Sequence, residues 1–155
     1  MIAELLTIAA VASVVFLLVV VGTFLFAPGV MRPEISRFTE KFQANTRNLS
    51  WLALILVSVI GPSLFAAGWL RLHHAADFWS LFLAAYFLQV VINLVDLVIF
   101  DIAIYRWWYP TWLRFEDYEP IHEYRYHVKA AVKGITVIGM PLSLLAALLA
   151  LAVRP

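Results

Sequence analysis

Phe78–Tyr105 reads FWSLFLAAYFLQVVINLVDLVIFDIAIY, an apolar run whose charges are Asp96 and Asp101 alone. A bilayer's hydrocarbon core is about 30 Å thick and takes roughly 20 apolar residues at 1.5 Å rise per residue. The run is long enough, and it is continuous rather than alternating. It therefore predicts a membrane-crossing helix and not a barrel strand.

Three further stretches meet the same test. Ile2–Phe26 carries one charge, Glu4, near its end; Leu49–Leu72 carries none before Arg71; Gly134–Val153 carries none. The first stretch lacks a basic n-region and exceeds a signal-peptide core, so it reads as a permanent span. The sequence thus predicts an all-α fold: a polytopic membrane protein, one membrane domain over residues 1–155, with four transmembrane helices in a bundle. The spans fall at about 2–26, 49–72, 78–105 and 134–153, with cytoplasmic loops at about 27–48 and 106–133.

Composition agrees. Apolar residues make up 64% of the 155 and charged residues 14%, against about half and about a quarter in soluble domains. A net charge of +1 without a basic tract excludes nucleic acid as a partner. The absence of Cys excludes disulfides, thiolate metal sites and thiol chemistry.

Orientation follows from Lys and Arg in the loops. Arg32, Arg37, Lys41, Arg47, Arg106, Arg114, Arg125, Lys129 and Lys133 lie on one side, Arg71 and Arg154 on the other. Both long loops are therefore expected in the cytoplasm, with the N-terminus and C-terminus outside. In the first loop, Pro33 opens an interfacial helix with Ile35, Phe38 and Phe42 on one face. In the second, WWYPTWLRFEDYEPIHEYRYHVKAAVK after Arg106 predicts an aromatic-rich cytoplasmic cap. Pro110 ends or bends the third helix. Pro120 starts a helix that runs on into the fourth span.

Gly61–Pro62 interrupts the second span, and Gly139 and Pro141 the fourth. The readings are ordinary proline kinks or, through a parallel repeat, a transporter-like binding site. Gly139, Ser143 and Ala147 recur every four residues, with Ala9 and Ser13 as a shorter pair. Such spacing permits close helix approach, within the chain or in a dimer.

A carboxylate inside a span is costly and normally faces protein or water. Gln89, Asn93 and Asp96, at i, i+4 and i+7, form one polar stripe that should face the bundle. At 100° per residue, Asp101 is expected about 140° away from Asp96. The stripe predicts a cytoplasm-facing crevice for a cation, a proton or a polar headgroup. The alternative is an ion pair of Asp96 with Arg47, Arg106, Lys129 or Lys133. At the fourth helix, His122, Tyr126, Lys129 and Lys133 share one face, and Glu119, Glu123 and His127 another. Glu123 and His127 are spaced to hold a metal, although no second His pattern completes the shell. His73–His74 lies across the membrane from His122 and His127, so no haem is predicted. No cofactor is predicted at all.

Asp96, Asp101, Pro110, Glu116, Tyr124, Tyr126, His127, Lys133 and Gly134 resemble the pattern of an uncharacterised family of small bacterial four-span integral membrane proteins. Members often carry Pro-Gly-Thr-Glu in the cap; Leu113–Glu116 here keeps the Glu. The resemblance implies no activity. It implies that the working surface is where the third span, the cap and the fourth helix meet.

Three functions fit. The first is a non-enzymatic accessory subunit, or a module binding lipid or another hydrophobic ligand, with a polar crevice at Asp96. The second is an oligomeric proton- or cation-coupled transporter or channel. The third is a membrane enzyme acting on lipid through Asp96, Asp101, Glu116, His122 or His127, although no nucleophile motif is present and no catalytic residue is assigned. The expected binding residues are Gln89, Asn93, Asp96, Asp101, Tyr126, His127 and Lys133. The expected partners are membrane lipids and a second protein or copy.

Overall fold

The computed structural model describes residues 1–26, 56, 60–113 and 124–152. The interfacial helix of the first loop, the first half of the second span apart from Leu56 and Ile60, and the cap residues 114–123 lie outside the described residues. The described chain is all-helical, without a strand. Its helices are α1 (Ile2–Phe26), α2 (Gly61–His73), α3 (Phe78–Trp108) and α4 (Tyr124–Ala152). Three of them, α1, α3 and α4, are long and apolar enough to cross a membrane. Helix α4 stays helical from Tyr124 through Gly134 to Ala152, with a change of winding at Gly134–Gly139.

Helix α1 is apolar on every side, as a membrane span is. Ala9, Phe16, Val20 and Thr23 nevertheless line up at i, i+7, i+11 and i+14 and are buried, whereas Leu6, Val14 and Leu18 are exposed. Helices α2 and α3 are joined by a short turn in which the His74 N–H donates to the Leu70 carbonyl at 2.9 Å. Asp77 then caps α3, its carboxylate accepting from the Ser80 N–H at 2.8 Å. The Ser80 hydroxyl, and then this N–H, hold its carboxyl below the usual aspartate range. So short a connection makes α2 and α3 adjacent and antiparallel, and α4 packs against both.

The core has two parts. Near the α2–α3 turn, Ala66, Ala67, Ala84, Ala85, Ala146 and Ala147 are buried around Leu70, Leu81 and Leu88. Alanine faces let backbones approach closely, so packing takes the place of a hydrophobic driving force that lipid does not supply. Towards the other end, Phe16, Val20, Ile92 and Phe100 pack with Leu113. Leu113 reaches that cluster because α3 ends sharply. Tyr109 takes a left-handed conformation (φ 45°), Pro110 follows, and a 3-10 turn over Thr111–Leu113 folds the chain back. The helix thus stops just before Pro110. Gly139, Ser143 and Ala147 are buried inside this chain, so the four-residue ladder serves intramolecular packing.

Two stretches depart from α geometry. Asp96–Trp108 in α3 and Gly134–Gly139 in α4 have wide π turns, and Leu56 and Ile60 share that conformation before Gly61. Such turns close i to i+5 and usually occur singly. Both prolines sit just past a wide segment, where the ring would otherwise press on the carbonyl four residues back. The glycines close these turns. A Cβ on Gly61 would meet the Leu56 carbonyl oxygen at 2.5 Å, and one on Gly139 the Gly134 oxygen at 3.1 Å.

Two expectations follow. Ala147→Leu should lower the thermal midpoint in detergent, in line with about 1–3 kcal/mol for overpacking, whereas Leu148→Ile on the exposed face should not. The Asp77 cap has a lowered folded pKa, so its stabilisation is complete above the ordinary aspartate value and is lost as pH falls through the folded one. Asp77→Asn keeps an acceptor at the cap and should therefore flatten the loss of stability on acidification, read from midpoints at successive pH values.

Candidate functional site

The polar stripe on α3 faces the bundle. Gln89 is 1% exposed and donates through Nε2 to the Ser63 hydroxyl of α2 at 3.1 Å. Ser63 lies 3.5 Å from the Ser143 hydroxyl of α4, which donates to the Gly139 carbonyl at 2.7 Å. One chain of polar groups thus links three helices and satisfies each member, as buried polar groups require. Its approach is close: a Cβ on Gly139 would come within 3.3 Å of the Gln89 Cβ.

Asn93 is one turn further on. Its Nδ2 donates to the Gln89 carbonyl at 2.8 Å, and its Oδ1 occupies the space where a Gly134 Cβ would be. A side chain that takes a helix carbonyl disturbs the i→i−4 ladder, and the π segment begins three residues later at Asp96.

The wide winding corrects the expected position of Asp101. An α-helix would put Asp96 and Asp101 about 140° apart. With i→i+5 closure, residue i+5 comes round above residue i, so the two carboxylates share one side. Asp96 feels the charges of both Asp101 and His127. Asp101 Oδ2 lies 2.8 Å from His127 Nδ1, with the side chains 19% and 16% exposed. The Tyr105 ring flanks His127 at 6.1 Å, and Tyr126 meets it edge-on at 5.7 Å.

The structure therefore gathers Asp96, Asp101 and His127, with Gln89 and Asn93 leading towards them along α3. Tyr126 touches only the rim and is exposed, as is Lys133. The predicted ion pairs of Asp96 with Arg106, Lys129 or Lys133 are not formed; Asp96 accepts no hydrogen bond and has no salt bridge among the described residues. Arg47 lies outside the described residues, as do Glu116, His122 and Glu123. No three His, Asp or Glu side chains are grouped to hold a metal among the described residues, and His127 turns Nδ1 to Asp101 instead. Sequence spacing missed the Asp101–His127 contact because it depends on the winding of α3. It also missed Ser63, and it placed Ser143 in a packing ladder without its polar link, because both resemble the many serines that bond only within their own helix.

The chain matches no protein-family model, no curated protein and no solved structure.

Gly134→Ala should force the Asn93 amide from its place and break its bond to Gln89. We expect a lower thermal midpoint for Gly134→Ala. Asn93→Ala in the same chain should restore most of the loss, a non-additivity that a double-mutant cycle measures.

Proposed function

We propose that this chain is a non-enzymatic four-span module of a bacterial inner membrane that binds a lipid, taking its cationic headgroup at Asp96. Three helices of spanning length and the described half of a fourth, α2, support the four crossings. The split of nine basic residues against two supports cytoplasmic loops and external termini. In that orientation Asp96 opens towards the cytoplasm, beneath the cap. The suggested resemblance to small bacterial four-span proteins points to the same corner.

One observation carries the reading: Asp96 is an intramembrane carboxylate with no bonding partner among the described residues. It begins about 27 Å along α3 from Phe78 at 1.5 Å per residue, near the end of the hydrocarbon. Carboxylates at such depth are normally paired. Here two carboxylates face one described histidine, which favours a positive group. A lipid ammonium supplies that charge and hydrogen-bond donors as well.

Native mass spectrometry of the chain with phosphatidylethanolamine and phosphatidylglycerol tests this. Asp96→Asn should lower retention of the ethanolamine lipid roughly tenfold or more, as expected for loss of a charge-assisted bond of about 1.5–3 kcal/mol, and leave the glycerol lipid unchanged. Equal retention in both proteins rejects the reading. A proton or cation flux in proteoliposomes that Asp96→Asn abolishes would instead favour the oligomeric transporter.

A further inference from the structure

A cavity lies at the end of the bundle away from Asp96. It is a groove of about 770 Å³ between α1 and α2, within the range of small-molecule sites of roughly 300–1,000 Å³. Its α1 wall runs from Ala3 to Val15, about 18 Å at 1.5 Å per residue. One leaflet of a 30 Å hydrocarbon core is about 15 Å deep. The groove therefore has the length of a single lipid chain standing in one leaflet.

Its polarity is graded along that length. Glu4, Thr7 and Trp69 lie towards the α2–α3 turn, whereas Val11, Val15, Leu56 and Leu88 form an apolar inner part. The polar end is anchored: Glu4 Oε2 and His74 Nε2 are 2.8 Å apart, and the Trp69 ring stacks on His73 at 4.0 Å. The Trp69 indole N–H is buried with no acceptor among the described residues, although a buried indole usually has one.

We infer that the groove between α1 and α2 holds one acyl chain of a membrane phospholipid, with its ester end at Thr7 and Trp69 and its tail towards Val15 and Leu88. The inference rests on the reading that these helices cross a bilayer, and it is independent of Asp96. A bulk lipid face would be convex and uniformly apolar, as along Leu145 and Leu148 of α4, which are as exposed as Val11. The groove is instead concave and graded in polarity, which gives its occupant a direction.

The test uses the full chain in phosphatidylcholine vesicles containing trace phosphatidylcholine with a photoactivatable diazirine, placed either near the carboxyl end or near the tail of one acyl chain. Adducts are mapped by peptide mass spectrometry. Near-carboxyl probes should label around Thr7 and tail probes around Val15 and Leu56, several-fold above Leu145 and Leu148. Val11→Trp, which changes only an exposed position, should cut the groove adducts several-fold and spare those on α4. Equal labelling of the groove and α4, a reversed order of the two probes, or indifference to Val11→Trp overturns the inference. Asp96→Asn should leave groove labelling intact, so failure at the headgroup site and failure here are read separately.

Discussion

The bundle depends on the clasp formed by Gln89, Ser63 and Ser143. Gln89 lies on α3, Ser63 on α2 and Ser143 on α4, and each is buried. Interhelical hydrogen bonds in membrane proteins average only about 0.6 kcal/mol. The clasp therefore fixes register more than it supplies stability. Stability comes from the alanine faces around it, which can meet because Gly139 has no Cβ to hold the Gln89 stem away. Polar contact and close packing require each other here. Leucines at the alanine positions would push the serines out of reach, and without the serines Gln89 would be an unsatisfied amide in an apolar core.

Helical class and the spanning lengths of α1, α3 and α4 were legible in the sequence because continuous apolar runs leave the backbone no other way to satisfy its hydrogen bonds in lipid. The inward turn of Gln89, Asn93 and Asp96 was legible too, since α geometry holds as far as Val95. Past that point the angular rule failed. Asp101 was assigned to a different face, and the structure brings it to the side of Asp96 and 2.8 Å from His127. Residue spacing carries no signal for a π turn. The nearest local cue is Asn93, a residue whose amide can compete for a helix carbonyl.

The same winding links the two proline interruptions. Gly61–Pro62 and Gly139–Pro141 each follow wide turns, and in both the glycine faces the carbonyl oxygen five residues earlier. A proline without an N–H leaves a carbonyl unclaimed, and a helix already wound to i→i+5 has room for the ring. The two breaks are thus alike in local construction, beyond the likeness of their sequences. Yet they do different things: the α4 break seats Gln89 and Asn93, whereas the α2 break forms part of the groove wall.

The two ends of the bundle consequently differ in chemistry. At one end, Asp101 meets His127 between π-wound α3 and the start of α4, a junction set by winding, beside Asp96, which has no bonding partner among the described residues. At the other, Glu4 is already engaged by His74, so the polar groups close a rim around an apolar slot. A carboxylate without a partner favours binding a charge. A carboxylate already paired favours marking a boundary, with apolar surface as the binding element. Glu4 is the one acid of α1, near its end, whereas Asp96 lies within α3 with Asp101 five residues on. Their neighbours separate them: His74 engages Glu4 directly, whereas His127 engages Asp101 and not Asp96.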